Sequence, residues 1–494
     1  MYAHLHNHIH PYDVFTREKL YLEWLVFIGK KTQQICFCFG FRRRQELELE
    51  EEEEEEGKCR KQKQETETTT TTTMMDFSSR IQIIPIISTF VFFLLFSTLF
   101  PAVSARQFED FGRLNQTFRP GEEAKKMRLI RTHLMKINKP SVKSIQSPDG
   151  DVMECVLIHQ QPAFDHPKLK GTKPMDPPER PNGYHHSGTE LENYQLWSLS
   201  GESCPEGTIP IRRTTEQDIL RASSLQRFGR KIPKSIRRDS INYVGHEHAV
   251  ASVSGDQYYG AKASINVWDP KVTDRFEFSL SQLWVISGSF TDDLNTVEVG
   301  WQVSQELYGD NYPRLFTYWT SDAYQATGCY NLLCSGFIQT NNKIAVGAAI
   351  SPSSSYNGGQ FDISIMIWKD PKHGNWWLEF GSGVLVGYWP ASLFTHLRDH
   401  ASMVQFGGEV VNSQASGSHT STEMGSGHFS GEGFGKAAYV RNMQVVDWDN
   451  SLIPPSNLLV VADNPNCYDI TGGINNVWGN YIYFGGPGKN PRCP

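Results

Sequence analysis

The stretch Thr296-Val-Glu-Val-Gly-Trp-Gln-Val303 alternates between apolar side chains and small or polar ones. Because successive side chains of a β-strand point to opposite faces, its apolar side chains share one face. Glu298, Gly300 and Gln302 lie on the other face. We therefore predict a strand whose apolar face packs into a core and whose opposite face turns a carboxylate toward a groove.

Comparable stretches recur through the C-terminal half of the chain. From Ser240 onward, short apolar or alternating runs are separated by Gly, Asn, Asp and Pro, and the one possible helix is short and lies near residues 391–397. The runs include residues 259–268, 282–289, 314–320, 361–368, 376–380 and 385–389. This spacing is typical of two packed antiparallel sheets. We predict an all-β fold, a large antiparallel β-sandwich over residues 239–494.

Residues 1–73 are of low complexity. They contain an unbroken acidic run at residues 50–56 and a nearly pure Thr run at residues 66–73. Such tracts cannot bury enough apolar surface to offset the entropy of ordering. We interpret residues 1–73 as a disordered leader that is read from an upstream start codon; a genuine cytosolic extension is the alternative.

Residues 74–105 have the pattern of a secretory signal peptide. An apolar segment at residues 81–100 ends in Pro101-Ala-Val-Ser-Ala105, with small residues where a signal peptidase requires them. We predict secretion to the extracellular space, the cell wall or the vacuole, with no stable membrane anchor after cleavage. The alternative is a single membrane anchor, because the apolar segment has about the length of a span.

Residues 106–238 differ in pattern from the C-terminal half. A helix-like stretch at residues 106–131 precedes a predicted strand at residues 152–158. Residues 170–183 are rich in Pro and Lys, and a basic run ends at Arg238; both are predicted linkers. We expect a small α+β domain that is joined to the sandwich by an exposed basic linker.

Charge separates these two regions. Residues 106–238 hold 23 Lys and Arg against 16 Asp and Glu, a net charge of +7, whereas residues 239–494 hold 12 against 23, a net charge of −11. Because the folded C-terminal half is acidic, the chain does not fit a nucleic-acid binder. Opposite net charges favour docking of the first region on the second.

Six cysteines follow the predicted signal peptide, and an even number in a secreted chain predicts disulfides. The alternative, a metal site, is disfavoured because no CxxC recurs and no His stands beside them at zinc spacing. Two cysteines bracket a short loop and two share the final segment, which leaves the two in the basic region. The predicted pairs are Cys329–Cys334, Cys467–Cys493 and Cys155–Cys204.

Several of these motifs resemble the plant neprosin family. The longest are Arg314-Leu-Phe-Thr-Tyr-Trp-Thr-Ser-Asp322 and Thr327-Gly-Cys-Tyr-Asn-Leu-Leu-Cys334. Shorter ones lie at residues 296–303, 307–310, 374–377, 387–390 and 407–410. Residues 106–238 resemble the activation peptide of the family through Gln161-Pro-Ala-Phe-Asp-His-Pro167 and residues 204–213.

The resemblance implies a secreted glutamic endopeptidase, made as a zymogen, that cleaves on the C-terminal side of proline. It implies catalytic roles for Glu298 and Glu409. Two carboxylates that face one groove share a proton, so that one activates water while the other polarises the scissile carbonyl. Gly407 and Gly408 beside Glu409 would let a substrate backbone lie close to it.

Other site assignments come from the same residues. The candidates for substrate binding are Gln302, Tyr318, Trp319, Tyr388 and Trp389, because aromatic faces suit a proline ring; core packing is the alternative for the aromatic residues. We expect a monomer with no cofactor and no metal. Its partners would be a proline-containing peptide or protein substrate and its own propeptide as an intramolecular inhibitor.

Competing hypotheses remain open. His246 and His248 share one face of a probable strand and could hold a metal, but no third ligand is evident. No Gly-x-Ser-x-Gly elbow is present for a serine hydrolase. The alternative class is a non-catalytic secreted β-sandwich that binds cell-wall polysaccharide or peptides through its aromatic residues.

Acid is the expected trigger of activation. Carboxylates of the C-terminal half lose their charge as the pH falls toward about 4, which turns attraction of the basic region into repulsion. The same acid would place one proton on the glutamate pair. The alternative is a folding aid that another protease removes near Arg237 and Arg238.

Overall fold

The computed structural model describes residues 120–185, 194–231, 245–414 and 418–494. The predicted leader, the predicted signal peptide and the start of the predicted helix at Arg106 lie outside these residues. No helix within the described ranges is both long and apolar enough to cross a membrane.

Residues 120–231, here called the N-terminal region, combine helices with a small sheet. The elements are α1 (Pro120–Ile137), β1 (Ser141–Gln146), β2 (Val152–Leu157), β3 (Thr208–Arg212) and α2 (Glu216–Arg221). The strands pair antiparallel in the order β1-β2-β3. Glu122 and Glu123 lie in the first turn of α1, where the helix dipole favours negative charge.

The run predicted as an exposed basic linker is structured as far as Lys231. Thr215 and Asp218 form a capping box at the start of α2: the Thr215 Oγ1 accepts from the Asp218 N–H at 3.1 Å, and the Asp218 Oδ2 accepts from the Thr215 N–H at 2.7 Å. Beyond α2, Phe228 and Lys231 are buried. The linker prediction is therefore wrong up to Lys231, and residues 232–244 lie outside the described residues.

Two antiparallel sheets come next along the chain, and the first is here called the front sheet. Its strands are β4 (Gly245–Tyr258), β6 (Phe278–Ser287), β7 (Asn295–Ser304), β8 (Arg314–Thr320), β13 (Ala401–Asn412) and β16 (Leu459–Ala462). They lie in the order β16-β4-β13-β6-β7-β8. A short helix, α3 (Gln305–Tyr308), directly follows β7.

The second sheet is here called the back sheet. Its strands are β5 (Gly260–Asn266), β9 (Ile338–Gln339), β10 (Asp362–Lys369), β11 (Trp376–Phe380), β12 (Val384–Trp389), β14 (Ala438–Val446), β15 (Leu452–Ile453), β17 (Asp469–Asn475) and β18 (Gly479–Gly485). They lie in the order β17-β18-β14-β5-β10-β11-β12-β9, and β15 pairs with β14. Where a helix was expected near residues 391–397, a single 3-10 turn forms at Ala391–Leu393.

The main core lies between the two sheets. From β7 it contains the four predicted inward side chains, Val297, Val299, Trp301 and Val303, each with no exposed surface. Ile265 of β5 and Ile365 of β10 pack in the same core from the back sheet. The prediction of an antiparallel β-sandwich preceded by a small α+β region is confirmed.

The N-terminal region covers the outer face of the front sheet. Ile130 of α1, Ile219 of α2 and Phe228 form one buried cluster with Trp284 of β6 and Phe316 of β8. Every residue of β7 is consequently buried, on the outer face as well as the inner one.

The N-terminal region also covers the outer face of the back sheet. Leu169 packs in a buried cluster with Trp377 and Tyr388. The Met175 N–H donates to the Tyr388 hydroxyl at 3.1 Å, and Arg180 pairs with Glu379 at 2.7 Å. Residues 170–183 are therefore docked along the sandwich, and their assignment as a linker is wrong.

Three disulfides brace the described part of the chain. Each cysteine pair is the one that the sequence predicts: Cys155–Cys204, Cys329–Cys334 and Cys467–Cys493. The first joins β2 to the loop before β3, and so lies wholly within the N-terminal region.

Candidate active site

Glu298 and Glu409 lie on the outer face of the front sheet, two strands apart. Glu298 is on β7 and Glu409 is on β13, with β6 between them. The register aligns Gly407 with Gln282 and Gln282 with Gly300 in one row across these strands. Glu298 lies two residues before Gly300, and Glu409 lies two residues after Gly407. The two glutamates therefore flank this row from opposite sides. Their side chains can therefore converge over the row.

Close packing of the strands explains the glycines of this row. A Cβ at Gly300 would lie 2.0 Å from the Ser281 carbonyl oxygen, and one at Gly407 would lie 2.2 Å from the Ala249 carbonyl oxygen. A Cβ at Gly408 would meet Phe484 in the core at 2.6 Å. The expectation that Gly408 makes room for a substrate backbone is wrong, because Gly408 faces the core.

Lys231 of the N-terminal region lies between the two carboxylates. Its Nζ is 2.5 Å from the Glu298 Oε2 and 3.2 Å from the Glu409 Oε2. All three side chains are buried, with at most 4 % of each exposed. The Lys231 backbone N–H donates to the Tyr318 hydroxyl at 3.2 Å, which fixes the chain where it enters the site.

Charge keeps Lys231 an ammonium despite its burial. Burial alone would lower the pKa of Lys231, but Glu298 and Glu409 raise this pKa well above its ordinary value. The Nζ also lies 5.7 Å from the centre of the Tyr318 ring and 5.9 Å from that of Tyr324, close enough for cation–π attraction.

The surroundings of Glu409 favour its ionised form. Its Oε1 lies 2.5 Å from the His246 Nδ1 and 3.8 Å from the His248 Nε2. The Gln282 Nε2 donates to its Oε2 at 3.4 Å. Burial alone would raise the pKa of Glu409, but Lys231, followed by His246 and His248, lowers this pKa well below its ordinary value.

Glu298 is held by two hydroxyl groups. The Tyr324 hydroxyl and the Thr296 hydroxyl each donate to the Glu298 Oε1 at 2.8 Å. Burial, reinforced by Glu298, raises the pKa of Tyr324 well above its ordinary value, so its phenol stays protonated and continues to donate. Both donors point at Oε1, which leaves Oε2 to face Lys231.

The structure separates the predicted substrate-binding residues. Tyr318 contacts Lys231, and the Gln302 amide donates to the Tyr330 hydroxyl at 3.3 Å on the same face of the front sheet. Trp319 faces the main core and packs against Phe394.

The other two candidates lie on a different sheet. Trp389 is in the main core, and Tyr388 is on the outer face of the back sheet against Trp377. The assignments of Trp319, Tyr388 and Trp389 to the site are wrong, because strand alternation or sheet membership turns them away from it. All three side chains are buried and offer no exposed aromatic face in this structure.

Sequence reasoning missed the residues that complete the site. Lys231 lies in the predicted basic linker, and the sequence suggests His246 and His248 only as metal ligands. The available signal for the histidines was their spacing, since residues two apart on β4 share a face. Lys231, Gln282 and Tyr324 carried no comparable signal, because their contacts join segments that are remote in sequence.

The arrangement has a clear chemical consequence. The Lys231 Nζ shows that one atom can contact both carboxylates at once. Without this cation, two buried carboxylates would face each other, and sharing one proton would relieve their repulsion. With Lys231 in place, neither a water molecule nor a substrate carbonyl can occupy that point.

Solved structures include distant similarities to this chain. Scytalido-glutamic peptidase, solved with a peptide-based transition-state analogue, is 13% identical, with 49% of this chain and 98% of that chain covered and a TM-score of 0.28. SCP-B, a member of the Eqolisin family of peptidases in complex with the tripeptide Ala-Ile-His, is 12% identical, with 49% and 98% covered and a TM-score of 0.27. The β-porphyranase BpGH16B from the human gut bacterium Bacteroides plebeius is 7% identical, with 32% and 53% covered and a TM-score of 0.18.

Family models match both parts of the described structure. Residues 275–487 match the model described as Neprosin, which spans most of the sandwich. Residues 144–252 match the model described as Neprosin activation peptide. This matched range includes Lys231 and the first part of β4. The two matches together span most of the chain, and the chain belongs to the neprosin family.

Proposed function

We propose that this chain is the zymogen of a secreted glutamic endopeptidase that hydrolyses peptide bonds on the C-terminal side of proline. One observation carries the proposal: Glu298 and Glu409 both lie within hydrogen-bond reach of a single atom, the Lys231 Nζ. Removal of the N-terminal region would leave that position to a water molecule between two carboxylates. The family membership is consistent with this activity.

Glu409 is the proposed general base. His246 lies 2.5 Å from its Oε1 and belongs to β4, so it remains beside Glu409 after the N-terminal region leaves. A cation or donor at that distance favours the carboxylate over the acid. Glu409 would take a proton from the water as the water oxygen attacks the carbonyl carbon of the scissile bond.

Glu298 is the proposed general acid. Tyr324 and Thr296 donate to its Oε1, so the shared proton belongs on Oε2. Glu298 would give this proton to the carbonyl oxygen as the tetrahedral intermediate forms. The proton on Glu409 would then pass to the leaving nitrogen as the C–N bond breaks. Glu298 would take back one hydroxyl proton of the intermediate as the product C=O forms, which restores a singly protonated pair.

The proline preference is supported by the aromatic wall of the site. The rings of Tyr318 and Tyr330 are 4.8 Å apart, and those of Tyr318 and Tyr324 are 5.7 Å apart. Such a wall suits the flat, apolar face of a pyrrolidine ring. Two peptides that differ only by Pro or Ala before the scissile bond test this preference, and equal kcat/KM values would refute it.

The two-glutamate mechanism is tested by Glu298→Gln and Glu409→Gln. Each amide keeps the size of the side chain but cannot hold the shared proton, so we expect each variant to lose on the order of 10³-fold or more in kcat after processing by an added protease. Glu432→Gln, at an exposed position, is the matched control and should keep full activity. Full activity in either folded site variant would exclude the mechanism.

Secretion and acid activation complete the proposal. Expression with the natural N-terminus, followed by sequencing of the exported protein, tests cleavage after Ala105. Incubation of the purified proprotein at pH about 3 and about 7 tests acid activation, since the carboxylates titrate between these values. Release of the N-terminal region at neutral pH alone would contradict it.

A further inference from the structure

We infer that Arg314 is an anion-binding subsite of the mature enzyme, which takes the side-chain carboxylate of an acidic substrate residue about four residues from the scissile bond. In the zymogen, Asp149 and Asp151 of the N-terminal region occupy this subsite. The inference rests on the proposed function and names a class of substrate for the same site.

Arg314 lies on the same face of the front sheet as the glutamate pair. Arg314, Phe316 and Tyr318 alternate along β8 with residues of the main core, so these three side chains share the outer face. Tyr318 is the register partner of Glu298. At about 3.3 Å per residue, Arg314 lies about 13 Å along β8 from Tyr318, and an extended peptide covers this distance in about four residues.

The N-terminal region covers the surface between Arg314 and the glutamates. Two cavities lie between this region and the sandwich, and Phe228 and Leu307 line both of them. Lys231 lines the first cavity; Tyr308, whose ring centre lies 5.0 Å from the guanidinium carbon of Arg314, lines the second. Leu307 stays with the sandwich and Phe228 leaves with the N-terminal region. Its departure would join the two cavities into one groove that runs from the glutamates to Arg314.

The guanidinium group of Arg314 has acceptors from both parts of the chain. From the sandwich, Asp310 accepts from Nε at 3.2 Å and from Nη2 at 2.6 Å, and the Gly347 carbonyl accepts from Nη1 at 3.0 Å. From the N-terminal region, Asp151 accepts from Nη1 at 2.5 Å and Asp149 accepts from Nη2 at 3.2 Å. After this region leaves, Nη1 and Nη2 would each lose one carboxylate, while Asp310 would keep the group oriented.

A substrate carboxylate would replace the two that are lost. Burial alone would lower the pKa of Arg314, but Asp310 and Asp151 raise this pKa above its ordinary value, so the group is a cation. A carboxylate at the vacated position would again form charge-assisted hydrogen bonds. Because residues 239–494 carry a net charge of −11, the sandwich does not attract acidic peptides in general. A preference for an acidic residue should therefore be confined to the position that faces Arg314.

The groups around Arg314 give this preference a pH dependence. Asp310, between α3 and β8, stays in the mature enzyme, and burial raises the pKa of Tyr308 of α3 to about 12, so this phenol stays neutral. The charged groups that leave with the N-terminal region are Arg212, Asp149 and Asp151. Because the substrate carboxyl group must be ionised to pair with Arg314, the preference should grow as the pH rises through about 4.

The test uses the wild-type chain after processing by an added protease. The peptides carry Pro before the scissile bond and a single Asp at the third, fourth or fifth residue on either side of it, and matched peptides carry Asn instead. At pH about 5, we expect one position at which Asp raises kcat/KM on the order of tenfold over Asn, and no gain at the others. At pH about 3 this gain should shrink. Equal kcat/KM values for Asp and Asn at every position would overturn the inference.

A pair of variants assigns the preference to Arg314. Arg314→Gln keeps a donor but removes the charge, so the ratio of kcat/KM for the Asp and Asn peptides should fall to about one. Arg441→Gln is the matched control, because Arg441 also pairs with an aspartate, Asp362 at 2.7 Å, but lies on the back sheet; it should keep the ratio of the wild type. An Arg314→Gln enzyme that keeps the ratio would overturn the inference. If this variant does not fold, the wild-type peptide series decides.

Binding separates this inference from the proposed function. The Glu298→Gln chain, processed in the same way, should bind the peptides without cleaving them. Its dissociation constant at pH about 5 should be on the order of tenfold lower for the preferred Asp peptide than for the Asn peptide. Equal dissociation constants would overturn the inference. If the Asp peptide binds more tightly but the wild-type enzyme cleaves no peptide, the proposed function fails and the Arg314 subsite stands.

Discussion

The charge of Glu409 is controlled by two residues with different fates. Lys231 belongs to the N-terminal region and would leave with it, whereas His246 lies on β4 and would remain. With the N-terminal region in place, burial alone would raise the pKa of Glu409, but Lys231 and then His246 lower this pKa well below its ordinary value. In the mature enzyme, His246 would be the nearest group that keeps Glu409 ionised, and it acts through the carboxylate as a positioning residue.

His246→Phe should alter the pH profile of the mature enzyme. The ring is kept but the nitrogen that contacts Glu409 is lost, so the pKa of Glu409 should rise. The acid limb of kcat/KM should then move to higher pH, and kcat should fall about tenfold or more. Steady-state kinetics between pH about 2 and about 7 measure both effects.

Two further variants distinguish positioning from a structural role. His246→Asn retains a donor near the lost nitrogen and should recover part of the activity and of the acid limb. His428→Phe changes a partly exposed histidine that pairs with Glu432 instead, and should leave the profile unchanged. A His246→Phe profile that matches the wild type would contradict the positioning role.

At the scale of single elements, the orientation of the β7 side chains was predictable because apolar residues alternate with small or polar ones along this strand. Its inward valines, Trp301 and its outward Glu298 follow from a period of two, which holds wherever one face is buried in a core. The three disulfides were predictable because each pair is close in sequence or left by elimination. These features depend on local pattern, which a sequence displays directly.

Contacts between remote elements could not be predicted in the same way. The basic composition of the segment before Lys231 indicated a linker, but burial of Phe228 and the capping box at Thr215 fix it on the front sheet. Tyr388 and Trp389 lay in a motif of the family, yet β12 belongs to the back sheet. Sheet membership is set by long-range pairing, which alternation alone does not reveal.

Gly300→Ala tests how tightly the central strands of the front sheet pack. A Cβ would lie 2.0 Å from the Ser281 carbonyl oxygen, which belongs to backbone and cannot rotate away. We expect a loss of about 2–4 kcal/mol in the free energy of unfolding, because β6 and β7 must separate. Chemical denaturation of the full-length chain measures it.

Gly431→Ala is the control for this substitution. A Cβ there would meet no heavy atom within 4 Å, and Gly431 has no positive φ, so its unfolding free energy should change by less than about 0.5 kcal/mol. Equal stabilities of the Gly300→Ala and wild-type chains would show that β6 and β7 have more freedom than their spacing indicates.

At the scale of the whole molecule, the N-terminal region holds the sandwich through ion pairs of both polarities. Lys231 and Arg180 bring positive charge to glutamates of the sandwich. In the opposite direction, Asp149 and Asp151 bring negative charge to Arg314 of β8, which is fully buried. The Lys231 and Arg180 pairs follow the difference in net charge between the two regions, whereas the Arg314 pairs run against it. Acid can weaken both sets by neutralising their carboxylates.

Asp151 is the residue on which this second contact depends. It pairs with Arg314 at 2.5 Å and with Arg212 of β3 at 2.8 Å, and so links the sandwich to the small sheet. Asp151→Asn would leave Arg314 buried with only part of its positive charge compensated. We expect the unfolding free energy of the proprotein to fall by roughly 2–4 kcal/mol, because breaking a buried pair leaves an uncompensated charge.

The same substitution should have no effect after processing, because Asp151 leaves with the N-terminal region while Arg314 stays. Thermal denaturation before and after processing therefore separates the two states. The Asp151→Asn proprotein should melt at a lower temperature than the wild-type proprotein. After processing, the two mature enzymes should melt at the same temperature. Asp165→Asn, which removes an exposed pair with Lys139 in the same region, should change the stability of the proprotein by less than about 0.5 kcal/mol. If Asp151→Asn were as mild as Asp165→Asn, the docking of the N-terminal region would depend on apolar contacts and on Lys231, and the Arg314 pairs would contribute little to it.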